Sequence, residues 1–385
     1  MSTPRSEEVT GTGRDVAVEL LRHGPLSRTH LARRLGLSAG SLTRLSKPLV
    51  GAGVVVEGRT VTDPGTRRPM RPLDLATDRH HFLGVNIAAE SVTAVVTDLR
   101  TTVGGRLQVA TEDPSPEWIV ATVAELVEQL SAGTTAQGLG VSIGGYMDPG
   151  GVVRFARFLG WERPLPLGPR LSAATGLPVV LSNDLAALTR AEHWFGAGRG
   201  QGDFAVITIG AGVGYGLVLH DQLVENSDTA HQLLGHHRLA FGGPRCVEGH
   251  QGCATALLTQ HAMAAAATVG LGRTVEWEEL LQLARADDPV AGRVVEEAAA
   301  HLGHLAADVA NFTGVRRILL TGESIEVANL GRDALFAALR EHRDPNSKLP
   351  EVVVQPHDRA IWARGAAGVA VQQWVEGSAW LGAPA

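Results

Sequence analysis

Ser41, Thr43, Arg44 and Lys47 crowd two hydroxyls and two cations into one short stretch. Hydroxyls in such a stretch bond to base edges and the cations to phosphate or guanine, so the pattern suits a helix laid in the major groove of duplex DNA. Further on, Arg67, Arg68 and Arg71 flank Pro69-Met70. A basic tip of this kind would sit against a DNA backbone or in a minor groove, where its charge releases counterions. A different chemistry is offered by Gly210, Gly212, Gly214 and Gly216. Such a run can present successive backbone N–H groups to an anion, or simply make a tight turn between strands. The two cysteines, Cys246 and Cys253, are too few for a disulfide scaffold.

The first group needs helices to carry it. Val16, Leu20 and Leu21 mark the apolar face of one that ends near Gly24-Pro25, where glycine and proline break the period. Ser27 can cap a second helix through Arg34, with Leu31 and Leu35 inward, and Gly36-Leu37-Ser38 supplies a turn and another N-cap. The helix from about Ala39 to Val50, capped by Ser38, is then the recognition helix of a helix-turn-helix. Gly40 lowers its propensity, and Pro48 removes a hydrogen bond and predicts a kink at its far end. Val54-Val55-Val56, a turn at Asp63-Pro64-Gly65, the arginine tip and Leu73 complete a hairpin, the wing. The other reading of this segment is a three-helix protein-docking domain.

Charge follows the same division. Residues 1–75 hold 12 Arg/Lys against 7 Asp/Glu, a net +5, and the rest hold 22 against 33, a net −11. Only the head is therefore expected to meet phosphate. At 385 residues, with 44% hydrophobic and 19% charged, the chain can bury two or three cores and lacks the composition of a disordered or collagenous protein. Ser2 to Arg14 is a polar, charged stretch without a signal-peptide core, read as a flexible tail over 1–14. The longest apolar run, Phe204 to Leu219, is too short and too glycine-rich to span a bilayer. A cytoplasmic location without membrane contact is expected.

After Leu75, strands alternate with helices. Apolar strand segments recur at 82–87, 92–96, 138–143, 179–181, 204–209, 216–219 and 318–320, with helical stretches at 118–130, 185–194, 253–266 and 290–312. This is an α/β body. The succession of the winged helix-turn-helix, Leu83-Gly84-Val85-Asn86, Gly160-Trp161, Ser182-Asn183-Asp184, Gly210-Ala211-Gly212-Val213-Gly214, Gly235-His236 and Cys246…Gly252-Cys253 resembles the ROK family of repressors and sugar kinases. The likeness runs over almost the whole chain after Arg14. It implies a two-lobed, actin-like (sugar kinase and ribonuclease H-like) body with a ligand cleft between lobes. The division expected is a DNA-binding head over 15–75, a first lobe over 76–185 joined by 361–385, and a second lobe over 186–360.

The resemblance also says which chemistry is kept. Asp184 stands where the family's kinases carry the catalytic base. Their first phosphate loop, Asp-x-Gly-Gly-Thr, is here Asn86-Ile87-Ala88-Ala89-Glu90, and Gly322-Glu323-Ser324 replaces a glycine-rich adenosine loop. Glu90 would repel phosphate, so no use of ATP is expected. Of the family's sugar-holding residues the chain matches Asn183, Asp184 and His236, but Leu233 and Thr255 occupy two glutamate positions. Loss of two charge-assisted acceptors weakens hexose binding or changes the ligand. His231 and Gln232 are possible substitutes, and Trp161 either stacks on a ligand or is core. Family members hold structural zinc through the histidine and three cysteines; here His236, Cys246 and Cys253 would be completed by Glu248 or, with a loop shift, His250. The alternative is two reduced cysteines without metal.

Together these readings predict a ligand-responsive transcription regulator, most simply a repressor, acting as a homodimer or homotetramer on an operator. They set it against an ATP-dependent sugar kinase with a DNA-binding head, and against a regulator that no sugar controls.

Overall fold

Three helices and a short hairpin open the chain, of which the computed structural model describes residues 5–62, 67, 69–225 and 233–377. α1 (Arg5–His23), α2 (Arg28–Arg34) and α3 (Ala39–Gly51) are followed by strands β1 (Val55–Glu57), β2 (Val61–Thr62), β3 (Pro69–Met70) and β4 (Leu73–Leu75). α1 starts at Arg5, inside the stretch expected to be a tail. No proline interrupts the chain between Arg5 and Gly24, and extending a formed helix costs less than nucleating one. The expected caps form: the Ser27 hydroxyl accepts from His30 N at 3.1 Å and Ser38 from Ser41 N at 3.1 Å. α3 runs on past Pro48, whose carbonyl accepts the Ala52 N–H at 2.8 Å. The ring therefore removes one bond without ending the helix. β1 pairs with β4 and β2 with β3, both antiparallel. The expected turn at Asp63-Pro64-Gly65 and the tip residue Arg68 lie outside the described residues.

One compact unit comprises Met1–Gly200 with Trp362–Ala385, and a second comprises Gln201–Ile361. In the first, β5 (His81–Ile87), β6 (Ser91–Thr97) and β7 (Val103–Ala110) form an antiparallel meander; α4 (Pro116–Leu130) then leads to β8 (Ala136–Ile143). The small hairpin β9 (Tyr146–Met147) and β10 (Val153–Phe155), then α5 (Leu167–Thr175), lead to β11 (Val179–Asn183) and α6 (Asp184–Phe195). The sheet order is β11-β8-β5-β6-β7, with β8 parallel to both β5 and β11. The unit boundary falls beyond α6, whereas the sequence pattern divides the lobes at Leu185.

The second unit repeats the plan. β12 (Phe204–Ile209), β13 (Val213–Leu219) and β14 (Gln222–Leu223) form the meander. α7 (Ala254–Leu258), α8 (Gln260–Leu271), α9 (Trp277–Arg285) and α10 (Pro289–Thr313) precede β15 (Arg317–Thr321). After α11 (Glu326–Leu330) and α12 (Arg332–Glu341), β16 (Glu351–Val354) closes an order β14-β13-β12-β15-β16, with β15 and β16 parallel to β12. In each sheet the first strand lies between the second and the fourth, which is the repeated arrangement of the actin-like fold.

The last helix, α13 (Arg359–Glu376), supplies Trp362 onward to the first unit. It lies directly on the sheet because both partners are small there: a Cβ on Gly84 would stand 2.0 Å from the Ala363 carbonyl oxygen, and one on Gly140 1.8 Å from that of Ala366. Head and first sheet also share a core. Leu20, Leu31, Leu42, Leu49 and Leu73 pack in one cluster with Phe82, Leu99, Trp194 and Val371, all but Trp194 at most 2% exposed. Full burial of each leucine contributes roughly 2 kcal/mol, so the head is seated on the lobe and not merely tethered to it.

Candidate functional site

On α3, Leu42, Ser46 and Leu49 face the core, which turns Thr43, Arg44 and Lys47 outward at the helical period. Ser38 is exposed and Ser41 half-buried, their hydroxyls 2.8 Å apart. The Thr43 hydroxyl donates to the Ala39 carbonyl at 2.9 Å, so its methyl is the group left outward. In the hairpin Arg67 is exposed, with φ of 55°. Arg71 lies 3.8 Å from Glu57, which also accepts from Arg28. That bond from Arg28 is the main reason the Glu57 carboxyl is held below its ordinary range.

At the end of β11, Asn183 caps α6: its Oδ1 accepts from Leu185 N at 3.0 Å and Ala186 N at 3.2 Å, while its Nδ2 donates to the Gly145 carbonyl at 3.1 Å. Asp184 begins the helix, where the positive end of the dipole favours a carboxylate. Gly144 leaves room for it, since a Cβ there would be 3.2 Å from Asp184 Oδ2. Trp161 belongs to the core of the first unit, 8% exposed, with its indole N–H donated to the Pro114 carbonyl at 2.7 Å. Its second reading, core rather than stacking platform, is the one its surroundings fit.

The stretch that the sequence marks as an altered phosphate loop, residues 86–90, and the glycine run that it marks as kept, from Gly210, are the first turn of each sheet. In the first unit, Asn86 is 7% exposed and donates to the Ser142 hydroxyl at 3.1 Å, and the β5–β6 turn ends on the exposed Glu90. In the second, the Gly210 N–H is taken by the Gly212 carbonyl at 2.9 Å. A Cβ on Gly210 would fall 1.9 Å from Glu323 Oε2, so a carboxylate lies directly over this turn. The sequence names Glu323 as part of a changed loop but does not reveal where its side chain goes.

Farther along the second unit, Cys246 and His250 close a small loop through Cys246 N to His250 O at 3.0 Å and Gly249 N to Cys246 O at 2.9 Å, with Gly249 at φ of 87°. The loop returns His250 toward His236. Among the described residues His236, Cys246 and His250 are the group able to hold a metal ion, their ligand atoms within 4.8 Å of one another. Cys246 Sγ is 3.8 Å from His236 Nδ1 and 3.6 Å from His250 Nδ1. A tetrahedral zinc with ordinary Zn–S and Zn–N bonds separates such atoms by about 3.6 Å. Glu248 instead stands 4.0 Å from Nε2, the other nitrogen of His236. Cys253 is fully buried beside Cys246, and burial before all else pushes its thiol pKa up. Thr255, at a family glutamate position, spends its hydroxyl on the Gly235 carbonyl at 2.8 Å. His231 and Gln232 lie outside the described residues, and of Leu233 only the backbone is described.

Comparison with known proteins gives a consistent set of relatives. The model of the ROK family matches residues 82–373. The DNA-binding transcriptional repressor Mlc of Escherichia coli is 25% identical over 344 residues, covering 84% of this chain and 83% of its own length. A glucokinase of Thermotoga maritima is 36% identical over 149 residues, 38% of this chain and 47% of that protein. A crystal structure of a ROK family transcriptional regulator, a homologue of the same E. coli protein, superposes with a TM-score of 0.82 at 22% identity, covering 97% of this chain and 98% of that one.

Proposed function

The chain belongs to the ROK family, and from that premise we propose that it is a DNA-binding transcriptional repressor whose kinase-derived body no longer uses ATP. The observation that carries this reading is the outward face of α3, Thr43, Arg44 and Lys47, on a basic three-helix head with a hairpin, which we read as a winged helix-turn-helix. Ser38 and Ser41 extend that face, and Arg67, Arg68 and Arg71 serve the wing. Two head domains on adjacent turns of a two-fold operator multiply specificity, so the working form is a homodimer or homotetramer in the cytoplasm. Likeness over most of the length to a repressor supports the same conclusion.

We assign ligand binding to Asn183, Asp184 and His236, with a sugar or related small molecule as effector. Trp161 is left to the core. Asp184 keeps the position of the family's base, but Glu90 on the β5–β6 turn would repel phosphate, and in the second unit Glu323 lies over the glycine turn. For the metal we assign His236, Cys246 and His250, the group brought together, with Cys253, buried beside Cys246, as the fourth ligand and Glu248 as the partner of the second His236 nitrogen. Zinc bound there would tie the loop to His236 and hold that ring. His250→Ala is expected to lower zinc content well below one per chain, and Glu248→Gln to leave it unchanged, by elemental analysis of purified protein. The opposite pattern would return Glu248 to the ligand set.

The central test is fluorescence anisotropy on duplex DNA from upstream of the gene, with and without a panel of sugars. Binding should be tight, steeply salt-dependent, and weakened by about 10- to 100-fold in Arg44→Ala. Affinity no better than for a scrambled duplex would count against the head, and sugar phosphate formation with ATP and magnesium, abolished by Asp184→Asn, would restore the enzyme reading.

A further inference from the structure

Where the head meets the first sheet, a cleft of about 410 Å³ is lined by Arg100, Arg199 and Arg364, together with Leu21, Thr101 and Phe195 among others, and by no carboxylate. Each guanidinium is aimed by backbone. Arg364, on α13, donates to the Thr101 carbonyl at 3.1 Å, its hydroxyl at 3.0 Å and the Phe195 carbonyl at 3.2 Å. Arg100 reaches the Leu20 carbonyl at 3.3 Å, and Arg199 Nε bonds to the carbonyl of Arg22 at the end of α1. Arg22 itself meets His193 Nε2 at 3.0 Å. The tips of Arg199 and Arg100 converge over Gly24: the place of its missing Cβ is 3.1 Å from one Nη2 and 3.9 Å from the other.

Among the described residues, one carboxylate is seen bonded to these three arginines. It is Asp74 of β4, engaged by Arg100 through both Nη atoms. Arg100 Nε is buried without a hydrogen-bond partner. Burial, and then the charge of Arg100, hold Arg199 below its ordinary pKa. Guanidiniums gathered at this spacing are stabilised by an oxyanion that accepts from several forks at once. The volume is that of a small-molecule site, and Leu21 and Phe195 offer apolar wall to whatever the anion is attached to.

We propose that this cleft binds a small phosphate-bearing ligand, which bridges the head to the first sheet. It is separate from the residues assigned to the sugar. Because the ligand would fix the element that carries α3, occupancy and operator affinity would be linked reciprocally; that consequence alone rests on the DNA-binding reading.

The test uses the full chain and inorganic phosphate as probe, with thermal melting and calorimetry at ionic strength held constant by potassium chloride. A saturable rise in melting temperature is expected with phosphate and not with chloride. Phosphate should bind at least about tenfold more weakly in Arg199→Gln and in Val103→Asp, as expected for losing or cancelling one charge-assisted contact. Val103 lines the same cleft on the exposed edge strand, 40% exposed, so the second variant decides if the first fails to fold. Arg44→Ala should keep the phosphate response while losing DNA, which separates failure of this site from failure of the head. Equal response to chloride, an undiminished response in Val103→Asp, or loss of the response in Asp184→Asn would overturn the proposal. So would weakened DNA binding by Val103→Asp in phosphate-free buffer, since the cleft would then hold a DNA phosphate.

Discussion

The β5–β6 turn and the β12–β13 turn occupy the same place in two sheets of the same strand order, and on the proposed reading that the body does not use ATP each would oppose phosphate by a different route. In the first, the sequence itself has changed: Ala88-Ala89 stand where glycines would open the backbone, and Glu90 brings the charge. In the second, the glycines are kept, and a carboxylate from the β15–α11 connection lies over Gly210. On that reading a phosphate cradle would be lost with no change in the cradle itself. A neighbouring loop that places one acid over it is enough, because an anion meets both the occupied volume and the like charge.

Gly322 brings Glu323 to its position. It has φ of 110°, and a Cβ there would lie 2.4 Å from the Ile209 carbonyl oxygen and 2.8 Å from its nitrogen. Both are backbone atoms that cannot step aside. Gly322→Ala should lower unfolding stability by about 3 kcal/mol, combining backbone strain with overpacking. Ala89→Gly, at the exposed turn of the first sheet, should stay within about 1 kcal/mol. Urea denaturation of both variants checks this, and similar losses would mean that the two turns are equally constrained.

The wild-type chain should show no saturable binding of ATP with magnesium by calorimetry. Glu323→Ala removes a like charge from glycines that remain in place, and should bring saturable nucleotide binding into view, a gain of at least about tenfold, on the order of 1.4 kcal/mol. Glu90→Ala should gain less, since its turn still lacks glycine. An equal gain in both variants would show that charge alone, and not the shape of the turn, sets the difference.

The same contrast explains what was legible in the sequence. Glu90 and the alanines are read directly, because the property that matters is in the residues of the turn. The caps at Ser27 and Ser38, the β12–β13 hairpin and the outward face of α3 follow from local spacing in the same way. What sequence spacing could not supply was contact between distant segments: Glu323 over Gly210, the Pro114 carbonyl that receives Trp161, and the arginines drawn together from the β6–β7 connection, the α6–β12 connection and α13. Nor did it reveal the repeated sheet order, since the two meanders share topology and not residues. The choice between His250 and Glu248 lay between these cases. Spacing allowed both; in the structure the Nδ1 atoms of His236 and His250 both face Cys246 Sγ, whereas Glu248 stands by His236 Nε2.

The smallest expected effect lies in two half-buried histidines, one in each unit. In the first, His80 packs 4.8 Å from Trp374 with its Nδ1 buried and unpartnered; in the second, His301 lies in α10 beside His304. Burial is the leading cause that lowers both below the ordinary 6.5, with neighbouring positive charge adding to it. Folding thus favours the neutral rings. Above pH of about 6.5 neither state binds the proton and nothing is lost; as pH falls through that value the unfolded chain protonates first, and stability declines until the lowered folded pKa is passed. Melting temperature should therefore fall between pH 7.5 and 5.5, values on the order of one unit either side of the ordinary histidine pKa. His301→Gln should flatten part of that slope and His80→Gln another part. If the two losses do not add, the units do not titrate independently, and the separation drawn between them fails at this level.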